Sequence, residues 1–159
     1  MGKLASTVQE YICDSLAVEG PDRKWETEYM IAGTPVDIAG KYDQALCLFE
    51  LEWRRADPAD NAAKIFRHLS EGKIESKQIL VFQMFTSYYD LASGGVSTKR
   101  KNAEFVGDTA SKTYEHLFYT PVELDIDPPK RGGELSDRWQ TEASKTVTTL
   151  RAKIDHLQR

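Results

Sequence analysis

Glu50 and Glu52 close the apolar run Ala45–Glu52 (ALCLFELE), with Leu51 between them and Trp53-Arg54-Arg55 behind them. Side chains alternate faces along a strand, so both carboxyls point to one side of a sheet together with Leu46 and Leu48. Cys47, Phe49 and Leu51 point to the other side. Both faces begin apolar, as in a central strand covered on two sides. A carboxylate in such a place must be solvated, protonated, paired or bound to a metal. Two of them on one face, roughly 7 Å apart by the strand rise, repel each other unless a cation lies near. Asp37, in a neighbouring short strand, is the natural third member. Three carboxylates converging at one sheet end make an oxygen-rich site suited to Mg²⁺ or Mn²⁺ rather than zinc. Spacing alone says little, because 25 of the 159 residues are acidic; the strand context carries the inference. The competing reading puts Glu50 and Glu52 past the sheet edge, in ion pairs with Arg54, Arg55 or Lys64.

The elements that would hold these acids are read from periodicity. Leu4, Val8, Ile12 and Leu16 recur at helical spacing and predict an amphipathic helix over 3–18, ended by Gly20-Pro21-Asp22. From Lys24 to Ile31 the period changes to two, as in a half-exposed strand. Ala32-Gly33-Thr34-Pro35 is the predicted turn, and Val36–Ala39 a short second strand stopped by Gly40. Ala45–Glu52 then completes an antiparallel meander. Asp57-Pro58-Ala59-Asp60 is a helix start, with Asp57 able to cap and Pro58 suited to the first position. Ala62, Ile65, Phe66 and Leu69 give that helix an apolar face, and Gly72 ends it. The apolar strand Gln78–Phe85 follows, so the helix reads as a parallel crossover. A further helix carries Ala103, Val106, Ala110, Tyr114 and Leu117. Phe118–Ile126 is a strand placed at an edge because Pro121 cannot donate a ladder hydrogen bond. A last helix opens at Ser136 and runs to Gln158. The predicted fold class is α/β, a mixed sheet with an antiparallel meander and a parallel crossover, in a single domain spanning 1–159.

On these residues the chain resembles the PD-(D/E)XK, or restriction-endonuclease-like, nuclease superfamily. Asp37 followed by Glu50-Leu51-Glu52, between a helix-plus-meander and a crossover helix, is similar to its motif, and its αβββαβ core matches residues 3 to about 86. The last helices and edge strand are then a C-terminal helix-strand-helix elaboration. The resemblance implies that Asp37 and Glu50 bind Mg²⁺ or Mn²⁺, with the Leu51 carbonyl as an additional ligand, and that DNA phosphodiester bonds are hydrolysed. Two departures stand out: Pro35-Val36-Asp37 carries one inserted residue, and Glu52 replaces the usual lysine. Some members carry glutamate there, and others move the lysine to the following helix, where Lys64 is the candidate on a stripe with Asn61 and His68. Glu52 would orient a water, take its proton or hold a second ion, and Lys64 would stabilise charge on the phosphate. Glu10, on the flank of the first helix, is a further carboxylate able to reach the cleft. The alternative implied by the missing lysine is an inactive nucleic-acid-binding or assembly module of the same fold; a small-molecule enzyme of unrelated α/β fold is a third reading.

The remaining features bound the partners. The net charge of −4 counts against a nucleic-acid binder, but acids gathered in a cleft lower the total while a local basic stripe suffices for phosphate contact. Arg54 and Arg55 beside the acids, and Lys99-Arg100-Lys101 after the Gly94-Gly95 loop, are the candidate DNA-binding groups. Their competing reading is surface ion pairs and solvated charge. Tyr88 and Tyr89 follow the fourth strand, where they either stack on a base or pack at the rim. Cys13 and Cys47 read as reduced core residues of a cytoplasmic protein, and no apolar run implies a membrane partner. A homodimer or a separate specificity protein is compatible with a domain of this size.

Overall fold

The computed structural model describes residues 2–18, 24–42 and 44–158. The expected stop at Gly20-Pro21-Asp22 lies outside these. The order is α1 (Lys3–Ala17), β1 (Trp25–Ile31), β2 (Thr34–Tyr42), β3 (Ala45–Glu52), α2 (Pro58–Ser70), β4 (Gln78–Thr86), a 3₁₀ turn (Ser87–Tyr89), α3 (Thr98–Thr113), β5 (Leu117–Leu124) and α4 (Trp139–Leu157). The strands form one sheet in the order β1-β2-β3-β4-β5; β1, β2 and β3 pair antiparallel, and β3, β4 and β5 pair parallel. This is the mixed α/β sheet and the αβββαβ core, with its helix-strand-helix extension, that the sequence predicts.

The two faces are closed by helix pairs whose apolar stripes follow from spacing. Ala5, Val8, Ile12 and Leu16 of α1, with Ala143, Val147, Leu150 and Ile154 of α4, cover Ile38, Phe49 and Phe82. Phe49 and Phe82 stack there with ring centroids 5.0 Å apart. Ala62, Ile65 and Phe66 of α2, with Ala110 of α3, cover Leu46, Leu48, Ile79 and Val81 on the other face. β3 is buried along its whole length, as a strand covered by helices on both sides must be.

The β1–β2 hairpin departs from the expected geometry in three ways. The turn takes only Ala32 and Gly33, both with positive φ (48° and 84°), the conformation a two-residue hairpin loop requires. Thr34 and Pro35 therefore belong to β2. Pro35 is tolerated because the β2–β3 ladder begins only at Ile38↔Phe49, beyond the missing N–H. Gly40 does not stop the strand: a Cβ there would overlap the Trp25 ring, so the glycine makes room for an aromatic on β1. Finally, both strands change faces midway. Trp25 and Ile38 pack into the α1/α4 core, whereas Tyr29, Ile31 and Val36 pack into the α2/α3 core. Glu28, with a left-handed φ of 53°, is the switch on β1, a conformation costly for a non-glycine residue. Asp37 is the corresponding position on β2. The hairpin tip is thereby turned toward α2, where Thr34 Oγ1 meets His68 Nε2 at 2.8 Å and Pro35 O accepts from Lys64 Nζ at 3.2 Å.

Smaller differences have simple causes. Leu117 opens β5 instead of closing α3. Asp57 holds the N-cap position of α2 without a side-chain capping bond. Ser136 begins a turn ahead of α4, accepting from the Arg138 amide at 3.2 Å, and β5 is the edge strand expected from Pro121.

Gly107 on α3 faces the ring of Tyr119, and a Cβ there would overlap it. Tyr119 is buried and tied by its hydroxyl to Gln83, so the ring has little freedom to retreat. Gly107→Ala should therefore destabilise the fold by about 1–3 kcal/mol through overpacking, against the roughly 1 kcal/mol that alanine gains in helix propensity. Urea denaturation measures the balance; a more stable variant would show that the helix–sheet contact is not tight.

Candidate active site

Glu50 and Glu52 lie at the carboxyl end of β3, with Asp37 beside them on β2. Asp37, Glu50 and Glu52 are 6%, 0% and 0% exposed. Sheet pairing between β2 and β3 ends at Ile38↔Phe49. One step on, the Leu51 amide donates to Asp37 Oδ2 at 2.7 Å instead of to a backbone carbonyl. The Asp37 side chain thus continues the ladder and is fixed beside Glu50. Lys64, one α2 turn from Asn61, reaches down to place Nζ 3.1 Å from Glu50 Oε1. Its other contacts are Pro35 O at 3.2 Å and Asn61 Oδ1 at 3.3 Å.

Glu52 has a different environment. Asn61 Nδ2 donates to both of its oxygens, at 3.1 and 3.0 Å, and Gln83 Nε2 to Oε1 at 2.9 Å. Gln83 is oriented by the Tyr119 hydroxyl, which donates to its Oε1 at 2.5 Å, and its Nε2 also donates to Pro58 O at 2.9 Å. A continuous polar layer therefore runs from β5 through β4 and β3 to α2, and from α2 back to β2.

The structure thus makes a pair and a satellite out of the expected trio. Asp37 and Glu50 interact directly, and Glu52 is held by amides; among the described residues no three of His, Cys, Asp and Glu are grouped to hold a metal ion. Burial pushes all three carboxyls up. For Glu50 the rise is large, from desolvation first and the Asp37 charge second, with Lys64 opposing it. For Asp37 desolvation outweighs the Glu50 contact, the Leu51 amide and the charges of Arg55 and Lys64. Glu52 is pushed up to about 7 by desolvation, against the bonds from Gln83 and Asn61.

The donor set fits a small hard cation. Glu50 is fully buried, yet among the described residues neither of its oxygens accepts a well-directed hydrogen bond; the Lys64 contact is an ion pair. A divalent ion of the magnesium type needs one or two carboxylates and takes its other oxygens from water and substrate; Asp37 and Glu50 are the residues that could supply the carboxylates.

The remaining predicted residues divide. Arg55 and Lys64 border an open cleft of about 670 Å³ over the outer face of α2, with Asn61 and Arg67. Arg54 is exposed, donates to Pro129 O at 3.3 Å and lies 5.4 Å from the Tyr88 ring centre. Lys99 lies 5.5 Å from the same centre, and Lys101 is exposed. Arg100 corrects the expectation of a three-residue surface patch. It is 7% exposed, lies over Phe85 at 4.9 Å and reaches Glu104 and Glu123 at 3.5 and 3.7 Å. Tyr89 is a packing residue, hydrogen-bonded to the Arg55 backbone, while Tyr88 is exposed. His68 joins the Asn61–Lys64 stripe but is turned to Thr34. On α1, exposed Glu10 is not the group that approaches the site. Its neighbour Gln9 is buried and donates to Asp37 O and to Glu28 Oε1, both at 3.0 Å.

No family model matches the sequence, and no curated protein matches it. A solved structure of an EndoMS–dsDNA complex is similar over 82% of this chain and 48% of that chain, at 20% identity and a TM-score of 0.43. The chain thus spans about half the length of that protein. No helix among the described residues is long and apolar enough to cross a membrane.

The environment of Glu52 has a measurable consequence in metal-free buffer. Below about pH 4.5 its carboxyl is protonated in folded and unfolded chains, and above about 7 it is ionised in both; between these values only the folded chain keeps the proton. Stability should therefore fall as pH rises through this window, by up to about 3 kcal/mol from this group. Asp37 and Glu50, also raised, act in the same direction. Glu52→Gln should flatten the slope in a pH series of urea denaturations; an unchanged slope would reject the assignment.

Proposed function

We propose that the chain is a PD-(D/E)XK-type nuclease that hydrolyses DNA phosphodiester bonds with Mg²⁺ or Mn²⁺. The observation that carries this reading is the buried Asp37–Glu50 pair with Lys64 Nζ 3.1 Å from Glu50. Asp37 and Glu50 would hold the ion, with the Leu51 carbonyl as a further oxygen. When bound, the ion supplies Lewis acidity toward a phosphate oxygen and lowers the pKa of a coordinated water.

The chain's own residues supply the rest. Lys64 takes the part of the motif lysine that Glu52 displaced: from α2 it brings a positive charge to the acid pair that can stabilise charge gathering on the phosphate. Glu52, with an affinity for protons near neutrality, is suited to accept the proton of an attacking water. Asn61 and Gln83 orient its carboxylate. Arg55 at the cleft mouth can hold a phosphate of the strand.

A second reading, a binding or assembly module without hydrolytic activity, is favoured by one observation: Lys64 already compensates Glu50, and the amides already satisfy Glu52.

Cleavage of plasmid and single-stranded DNA with Mg²⁺ or Mn²⁺ separates the two. Asp37→Ala and Glu50→Ala should lower the rate by at least about 100-fold, and Lys64→Met by roughly 100- to 1000-fold. Cleavage that survives Glu50→Ala rejects the site. No cleavage with either metal, together with no calorimetric metal binding, selects the module.

A further inference from the structure

We infer that Tyr88, Arg54 and Lys99 form a subsite for an unpaired DNA nucleotide, the base resting on the tyrosine ring and its phosphates held by the two cations. This rests on the nuclease reading above and adds to it a preference for substrates with a single-stranded segment.

Tyr88 is 38% exposed, in the 3₁₀ turn between β4 and α3. It is nevertheless held firmly. Its ring meets Tyr89 edge to face at 5.1 Å, and Tyr89 meets Phe85 in the same way at 5.5 Å. The Tyr89 hydroxyl is clamped to Arg55, accepting from its amide at 2.8 Å and donating to its carbonyl at 3.0 Å. The platform is therefore anchored to the segment that leaves the acids of β3.

Both cations come to the ring from outside. The Arg54 guanidinium centre lies 5.4 Å and Lys99 Nζ 5.5 Å from its centroid, and Lys99 Nζ donates to the Tyr88 hydroxyl at 3.4 Å. Neither makes an ion pair with a carboxylate among the described residues. The Arg54 bond to Pro129 O also joins this edge to the loop carrying exposed Lys130 and Arg131. Asp90, also exposed, is the acid nearest to Tyr88 in sequence. An aromatic ring with cations that no carboxylate holds suits a nucleotide: the ring accepts any base, and the cations follow the backbone. A base inside a duplex is already stacked on both faces, so away from the duplex ends only an unpaired one can use the ring.

Fluorescence anisotropy with a 20-nucleotide single strand, a blunt duplex and a duplex with a single-stranded overhang tests this in Ca²⁺ and in EDTA. Tyr88→Ala should weaken single-strand and overhang binding at least about 5-fold and change blunt-duplex binding less than 2-fold. Tyr88→Phe, which keeps the ring and the packing on Tyr89, should bind like wild type. Arg54→Gln and Lys99→Gln should each reduce the salt slope on the single strand by about 0.7. Equal loss on all three substrates, no loss on any, or wild-type failure to bind the single strand would overturn the subsite. Because binding is read without hydrolysis, an inactive wild type that still shows the Tyr88 pattern would defeat the nuclease reading alone.

Discussion

A carboxyl group with no exposed surface, on the central strand of a sheet, is the constraint around which this fold is arranged. Glu50 sits at the end of β3, where helices cover both faces and leave it no exposed surface. Desolvating such a group costs several kcal/mol unless a counter-charge or proton compensates. Asp37 makes the problem worse by adding a second acid, and Lys64 answers it from α2. The position of α2, the bend of the hairpin and the length of the β2–β3 ladder all follow from bringing these three groups together. Lys64 reaches Glu50, Pro35 O and Asn61 Oδ1 at once, so the same ammonium ties β3, β2 and α2 to one point.

The face switch in the β1–β2 hairpin is the backbone's share of that arrangement. Had β2 kept strict alternation, Val36 would lie on the α1/α4 side with Ile38, and the hairpin tip would run straight on. Instead Val36 joins the α2/α3 core, and Asp37 lies between the two regimes. The left-handed Glu28 on β1 makes the matching change. Gln9 supports both strands there, one amide nitrogen bridging Asp37 O and the Glu28 carboxylate. Strain and a buried amide at a position otherwise suited to apolar packing are what a site held in fixed geometry requires.

Much of this was legible in the sequence. Changes of period marked every helix and strand, and alternation put Glu50 and Glu52 on one face. What was hidden depended on contacts between elements. Gly40 reads as a strand terminator until Trp25 is laid across it. Asp37 was recognised, but its exchange of a backbone partner for its own carboxylate depends on where the ladder with β3 ends. Gln83, whose amide decides the environment of Glu52, sits in an apolar strand whose register with β3 no local pattern shows. In other cases the sequence itself carries the signal. Arg100 stands three, seven and ten residues before Ala103, Gly107 and Ala110, the buried stripe of α3, so its period already assigned it to the interior. Gln9 lies on the Ala5–Val8–Ile12 face of α1, whereas Glu10 does not.

Two glutamates of one strand, two residues apart on the same face, end with opposite characters, and the cause is what lies opposite each. Glu50 faces a carboxylate and an ammonium, so to the rise that burial causes first are added the opposing charges of Asp37 and Lys64. Glu52 faces two amide groups, which hydrogen-bond an anion without neutralising it, and burial leaves its proton affinity near neutrality. The separation is enforced by rigid parts: Tyr119 fixes Gln83, Gly107 leaves room for Tyr119, and Asn61 is set on the same helix turn as Lys64. Under the proposed chemistry, the ion and the proton acceptor then occupy adjacent but distinct places. The ammonium of Lys64 comes to Glu50 from α2, while Glu52 keeps its own partners, Asn61 and Gln83.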